Sequence, residues 1–131
     1  MRIEHFAYMV ADPPKVADWY VKNLGWQIRL REDKSPHARF IADSSGQVMV
    51  EIYNNPAAVV PDYRSMNPLL LHIGMTCGPD LDEVRDRLLA AGATDAGGII
   101  VTPRGDRLAM LRDPWGLAIQ LCHRSTPIGL V

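Results

Sequence analysis

The sequence predicts an α+β fold in which two tandem βαβββ modules form a curved, cleft-bearing mixed sheet. Two observations predict it: a spacing of 67 residues (72 − 5) relates His5 to His72, and strand-like and helix-like patterns follow the same order after each histidine. The length of 131 residues suits a single domain. Within that domain we expect module one at about residues 1–54, a connection at 55–68, module two at 69–124 and a C-terminal tail at 125–131.

The helix of each module is predicted from the residues at its two ends. Asp12 can accept hydrogen bonds from the free backbone N–H groups of the first turn, and Gly25 can end the helix in a left-handed conformation. In the second module Asp80 is the expected N-cap, Glu83 completes a capping-box-like pattern, and Gly92 is the matching stop.

Short segments rich in β-forming residues, separated by turn residues, surround each helix. The predicted strands of the first module are Ile3–Val10, Trp26–Arg31, Arg39–Ala42 and Gln47–Tyr53, and those of the second are Leu70–Thr76, Gly98–Val101, Arg107–Leu111 and Leu117–Cys122.

Four polar residues of these strands are the candidate site. Because neighbours in a strand alternate between faces, His5 and His72 should point away from the bulky face that carries the helix. Glu51 and Gln120 are single polar residues flanked by apolar ones on the last strand of each module, where burial without a partner would be costly. If the two sheets curve toward each other, the four side chains converge, and they are a reasonable ligand set for Fe, Mn, Ni, Co or Zn.

These residues lie in motifs that resemble the vicinal oxygen chelate superfamily, which contains glyoxalase I, extradiol dioxygenases, methylmalonyl-CoA epimerase and the fosfomycin and bleomycin resistance proteins. The resemblance covers nearly the whole chain and places the family's metal positions on His5, Glu51, His72 and Gln120. The motifs are Ile3-Glu4-His5-Phe6, Trp19-Tyr20 followed by Leu24-Gly25, Val50-Glu51-Ile52, Leu71-His72-Ile73 and the run from Arg112 to Leu121.

The resemblance implies a metal-dependent enzyme that acts on a small oxygen-rich substrate. Lyase, isomerase or epimerase, and dioxygenase chemistry through a chelated, enolate-like intermediate are all open. The chain departs from the family at Gln120, where metal-dependent members usually carry Glu. A glutamine can ligate through its carbonyl oxygen but cannot act as a general base, so Glu51 is the expected catalytic residue.

A second interpretation is a metal-free protein that binds or sequesters a small molecule, as bleomycin resistance relatives do. Glu51 would then pair with an arginine such as Arg39 or Arg107, and Gln120 would hydrogen-bond to His72. An accessory domain for protein contacts is a third possibility.

The composition indicates which partners and which cellular compartment to expect. The formal net charge is −1 and no basic run occurs, so we expect no nucleic-acid partner. No segment reaches membrane-spanning length and the amino terminus enters a strand pattern at once, which predicts a cytoplasmic protein without a membrane partner. Cys77 and Cys122 are too few for a disulfide scaffold. We expect a homodimer, because curved sheets leave edges and apolar rims that a second subunit can cover.

Overall fold

Each half of the chain folds into one helix and one four-stranded mixed sheet, as the sequence predicts. The structure is a computed structural model that describes residues 1–47 and 49–129. It divides into a first unit, Met1–Pro61, and a second unit that begins at Asp62. Three positions of predicted structure lie outside the described residues: Val48 of the predicted fourth strand, and Leu130 and Val131 of the predicted tail.

In the first unit the outer strand β1 pairs in parallel with the last strand, and the other neighbours are antiparallel. The order across the sheet is β1-β4-β3-β2. The elements are β1 (Phe6–Met9), α1 (Pro13–Leu24), β2 (Gln27–Arg31), β3 (Arg39–Ala42) and β4 (Met49–Tyr53).

The second unit repeats this topology, with the order β5-β8-β7-β6 and a parallel pairing of its first and last strands. The elements are β5 (Ile73–Thr76), α2 (Leu81–Ala90), β6 (Thr94–Val101), β7 (Arg107–Arg112) and β8 (Ala118–His123).

Helix α1 begins and ends where its sequence predicts. The Asp12 side chain accepts a hydrogen bond from the Lys15 backbone N–H at 3.2 Å, and Gly25 follows the helix with a φ of 71°. The helix buries Tyr20, whose hydroxyl accepts a hydrogen bond from the Tyr8 hydroxyl at 2.9 Å. This bond fixes which face of the first sheet carries the helix.

Helix α2 departs from the prediction at its start. Asp80 is the N-cap residue, but the described chain shows no side-chain hydrogen bond to this cap, so the predicted capping-box arrangement with Glu83 is wrong. The cause is the backbone of Asp80, whose φ of −81° and ψ of 31° differ from the extended conformation that aims a cap side chain at the free N–H groups. At the other end Gly92 adopts a positive φ of 99°, as expected for the residue after a helix.

The strand boundaries shift in ways that matter for the site. β1 begins at Phe6 and β5 at Ile73, so both candidate histidines lie immediately before a strand instead of within one. β6 begins four residues earlier than predicted, because its ladder continues beyond a bulge that Gly97 and Gly98 accommodate with positive φ values.

The second half of the predicted connection packs against the second unit. Tyr63 is buried, and the Arg112 guanidinium donates hydrogen bonds to the carbonyls of Tyr63 and Met66, both at 2.7 Å. Among the described residues, no helix is long and apolar enough to cross a membrane.

Candidate metal and ligand site

Glu51 and Gln120 occupy equivalent register positions in the two sheets. In the first sheet Glu51 lies opposite Ala7 on one side and Phe40 on the other. In the second sheet Gln120 lies in the same way between Gly74 and Met110. The residues that flank Glu51 and Gln120 along their own strands are buried toward the helix: Val50 and Ile52 in β4, and Ile119 and Leu121 in β8. Alternation therefore places Glu51 and Gln120 on the opposite face of their sheets, which we call the open face.

The structure brings His5 and Glu51 together on the open face of the first sheet. The His5 Nε2 atom lies 3.4 Å from the Glu51 Oε2 atom, and the two side chains are 33% and 20% exposed. The His5 Nδ1 atom contacts the Glu4 carboxylate on its other side. The ring also packs edge-on against Phe40, with 5.4 Å between ring centroids. His5 is thus held at both ring nitrogens and at one ring edge.

His72 is exposed at the start of β5, and its orientation is fixed by the backbone. The His72 Nδ1 atom lies 2.9 Å from the Pro68 carbonyl oxygen, so the Nδ1–H group donates to this carbonyl and Nε2 is the other ring nitrogen. Gln120 and His72 both line a polar hollow of the second unit. The Gln120 Oε1 atom accepts a hydrogen bond from the Cys122 thiol at 3.5 Å.

The pKa of each of the chain's two thiols is raised, which favours the neutral thiol over the thiolate. Burial raises the pKa of the Cys122 thiol, which agrees with its role as a donor to Gln120. Burial also raises the pKa of the Cys77 thiol. Cys77, which is half-buried, and Cys122, which is buried, are therefore poorly suited to nucleophilic or thiolate-ligand roles.

The arginines proposed as partners of Glu51 in the metal-free interpretation bind elsewhere. Arg39 donates to the Glu32 carbonyl at 2.6 Å and pairs with Asp33 at 3.3 Å. Arg107 pairs with Asp82 at 2.8 Å. The predicted ion pairs of Glu51 with these arginines are therefore wrong, and His5 takes their place beside Glu51.

Two hollows meet at Gln120 on the second sheet, and each is lined by residues of the second unit alone. The polar hollow has a volume of about 390 Å³ and the apolar hollow one of about 320 Å³. Lining residues of the polar hollow include His72, Thr76, Gln120, Cys122, His123 and Arg124. Those of the apolar hollow include Leu69, Gly97, Ile100, Leu108, Met110 and Gln120.

Sequence reasoning missed the apolar hollow. The signal was present in β7, where Leu108 and Met110 alternate with the buried Ala109 and Leu111 and therefore belong to the open face. Large apolar residues on both faces of a strand indicate that the open face, like the face that carries the helix, is covered or binds a ligand. His123 is half-buried and is a lining residue of the polar hollow.

Two donors of the first unit, His5 and Glu51, are spaced as two ligands of one divalent ion would be. Two ligand atoms that each lie about 2.1 Å from a tetrahedral ion are roughly 3.4 Å apart. The separation of His5 Nε2 and Glu51 Oε2 matches this value, and it exceeds the about 2.7–2.9 Å of a charge-assisted hydrogen bond. Among residues 1–47 and 49–129, no three or more His, Cys, Asp or Glu side chains form a group that could hold a metal ion. The Gln120 amide lies outside these residue types.

Family membership follows from the sequence match along the chain. A model of the Glyoxalase/Bleomycin resistance protein/Dioxygenase superfamily matches residues 2–121. The chain belongs to this superfamily. No curated protein sequence matches it significantly.

Solved structures share the fold at low sequence identity. A glyoxalase family protein from Bacillus cereus is 17% identical with a TM-score of 0.79, and the match covers 95% of this chain and 94% of that one. An antibiotic binding protein from Streptomyces sp. is 22% identical with a TM-score of 0.72, over 95% and 97% of the two chains. The fosfomycin resistance protein FosX from Listeria monocytogenes is 15% identical with a TM-score of 0.71, over 98% and 95%. These glyoxalase-like neighbours agree with the two tandem modules.

Proposed function

We propose that this superfamily member is a metal-dependent enzyme that acts on a small oxygen-rich substrate and holds a divalent ion through His5, Glu51, His72 and Gln120. The observation that carries the proposal is the shared orientation of the two histidines. In each, Nδ1 faces an oxygen acceptor, which is the Glu4 carboxylate for His5 and the Pro68 carbonyl for His72.

This orientation is the one that metal-binding histidines use. A ligating imidazole binds the ion through one nitrogen and donates its other N–H to a carboxylate or backbone carbonyl, which fixes the tautomer and the ring direction. In the first unit the remaining nitrogen, Nε2 of His5, already faces Glu51. In the second unit His72 and Gln120 are both lining residues of the polar hollow.

Glu51 supplies the proton chemistry of the proposal. A bound divalent ion polarises two neighbouring oxygens of a substrate and lowers the cost of developing negative charge there. Glu51 is 20% exposed on the open face, so its carboxylate can take a proton from a substrate and return it. The Gln120 amide can ligate or donate hydrogen bonds but cannot exchange a proton in this way.

Metal content tests the ligand set. Purified protein, stripped with chelator and reconstituted separately with Fe, Mn, Ni, Co or Zn, should retain one ion per chain by elemental analysis. His5→Ala and His72→Ala should each lower the metal affinity by about a hundredfold or more, because each removes one ligand. Retention of no stoichiometric ion under any of these conditions would overturn the proposal.

Matched variants show whether a loss of metal is specific. His37 and Glu32 are exposed in the first unit, outside the open-face pair. His37→Asn and Glu32→Gln should leave metal content unchanged, and asparagine is chosen because His37 has a positive φ of 58° that asparagine tolerates. If these controls lose metal as readily as the ligand variants, the assay reports folding and not ligation.

Activity is tested with a small panel of α-hydroxy carbonyl, thioester and catechol substrates. Glu51→Gln keeps an oxygen ligand but removes the base, so it should retain most of the bound metal while kcat falls by about 10²–10⁴. A variant with normal turnover would remove Glu51 from the proton-transfer role.

A metal-free ligand-binding protein is the second candidate function. The two hollows that meet at Gln120 support it, since a ligand can contact both without an ion. A structural neighbour described as an antibiotic binding protein gives further support. Ligand-induced changes in tryptophan fluorescence that persist in excess chelator would favour this function, and changes that vanish with the ion would favour the enzyme.

A further inference from the structure

We infer that the ligand of the second sheet has an anionic head group on a compact apolar body, with the head in the polar hollow and the body in the apolar hollow. The inference deepens the proposed function, because it rests on the open face of the second sheet being a small-molecule binding face. It does not require the metal ion.

The polar hollow is lined by several hydrogen-bond donors, and the nearby Asp106 carboxylate is paired with Arg124. Arg124, His72 and His123 line it together with the Thr76 hydroxyl, and no carboxylate occurs among the described residues of its lining. An arginine carries five N–H donors and keeps its charge at every physiological pH. A carboxylate or similar anion is the head group that matches this lining.

Arg124 is held in place before any ligand arrives. Its Nη1 atom donates to the Asp106 Oδ2 atom at 3.0 Å, while the Asp106 Oδ1 atom accepts from the Ser125 backbone N–H at 3.0 Å. One guanidinium nitrogen is thus engaged, and Arg124 is a lining residue of the polar hollow. Such preorganisation lowers the entropic cost of binding an anion.

The apolar hollow is suited to a flat hydrocarbon body. Ile100, Leu108 and Cys122 form one row across the second sheet. Ile100 remains 55% exposed, so a ligand that covers it gains the free energy of removing apolar surface from water. The bulge at Gly97 and Gly98 leaves the neighbouring backbone open, since a Cβ atom at either glycine would meet nothing within 4 Å.

Gln120 marks the junction between head and body. It is a lining residue of both hollows. Its Oε1 atom accepts a hydrogen bond from the Cys122 thiol, and its amide nitrogen provides two N–H donors for a ligand oxygen. A ligand that spans both hollows therefore passes over Gln120 with a polar atom near the amide.

The test compares two probes of nearly equal shape, naphthalene carboxylate and naphthalene carboxamide, by calorimetric titration of the full chain in excess chelator. The carboxylate should bind about tenfold more tightly, as expected for one charge-assisted hydrogen bond of about 1.5 kcal/mol. Arg124→Gln should abolish this preference, and Arg124→Lys should restore part of it because the charge returns. Arg104→Gln is the matched control, since Arg104 is exposed and lines neither hollow.

A second pair of variants tests the apolar end. Ile100→Asp should weaken both probes by about tenfold, whereas Val101→Asp should change neither. Val101 is the next residue along β6, is 68% exposed and lines neither hollow. Equal affinity for the two probes, or equal effects of the Ile100 and Val101 variants, would overturn the inference.

The outcome separates this inference from the proposed function. If the protein holds stoichiometric metal but binds neither probe, the ligand class is wrong and the metal proposal stands. If the carboxylate preference and its loss in Arg124→Gln occur in a chain that holds no metal, the ligand class stands and the metal proposal fails.

Discussion

Arg112 holds residues 63–68, and the end of this segment orients His72. A substitution of Arg112 tests whether the orientation of His72 depends on it. Its Nη1 atom donates to the Tyr63 carbonyl at 2.7 Å and to the Gly116 carbonyl at 2.9 Å, and its Nη2 atom donates to the Met66 carbonyl at 2.7 Å. Two residues after Met66, the Pro68 carbonyl accepts the hydrogen bond of the His72 ring. We therefore expect Arg112→Met, which keeps an apolar stem and removes the donors, to loosen residues 63–68 and free the imidazole.

The size of the effect follows from the three bonds. Hydrogen bonds from a charged donor contribute about 1.5–3 kcal/mol each when buried, and Arg112 is half-buried, so the lower end applies. Water can partly replace the lost donors at the exposed side of the segment. A total of about 3–4 kcal/mol remains, which corresponds to a several-hundredfold increase in the local opening equilibrium.

Hydrogen exchange measures the loosening of residues 63–68, and metal affinity measures the effect of that loosening on His72. In Arg112→Met the backbone amides of Arg64 and Met66 should exchange several-hundredfold faster, and metal affinity should fall by about tenfold because His72 loses its fixed orientation. Arg107→Met is the matched control: Arg107 lies on the same strand, and its guanidinium makes a partly exposed ion pair with Asp82 that contributes about 0–1 kcal/mol. Unchanged amide protection in a folded Arg112→Met protein would refute the reasoning.

Three further predictions concern stability and reactivity. The pKa of Asp106 is lowered below its ordinary value of 3.8, mainly because its carboxylate accepts a hydrogen bond from the Ser125 backbone N–H. The ionised carboxylate therefore stabilises the fold above pH 3.8, and this stabilisation is lost as the pH falls through the lowered pKa. In urea titrations Asp106→Asn should therefore be less stable than wild type near neutral pH, with the difference shrinking below about pH 4; a constant difference would contradict this. Leu88→Ala, at a position with 0% exposure, should cost about 2–5 kcal/mol in the free energy of unfolding, whereas Val59→Ala at 91% exposure should cost less than about 0.5 kcal/mol. Because burial raises the pKa of the Cys77 thiol, alkylation of Cys77 followed by mass spectrometry should be several-fold slower in the folded protein than in urea.

Local signals in the sequence predicted most of the fold. The first helix could be placed from Asp12 and Gly25, because an N-cap oxygen and a left-handed glycine act on backbone groups a few residues away. The register equivalence of Glu51 and Gln120 followed from the repeat, since one strand topology used twice fixes which positions face the same way.

What the sequence did not predict depends on contacts that are distant along the chain. Residues 62–68 have the composition of a loose connection, but hydrogen bonds from Arg112 to Tyr63 and Met66 and from Arg64 to Pro114 join them to the rest of the second unit. Neither Arg39 nor Arg107 could be excluded as a partner of Glu51 until their bonds to Asp33 and Asp82 were seen. The apolar hollow likewise needs the bulge in β6 and three strands in register.

In both units the first strand pairs with the last, as Phe6 does with Val50 and Ile73 with Ile119. Each sheet must therefore close a long loop before its edge strand gains any hydrogen bonds, and the entropy of that closure is lost in a single late step. Folding of either unit should consequently be slow for its size, and a nascent chain cannot complete the first sheet until β4 has left the ribosome.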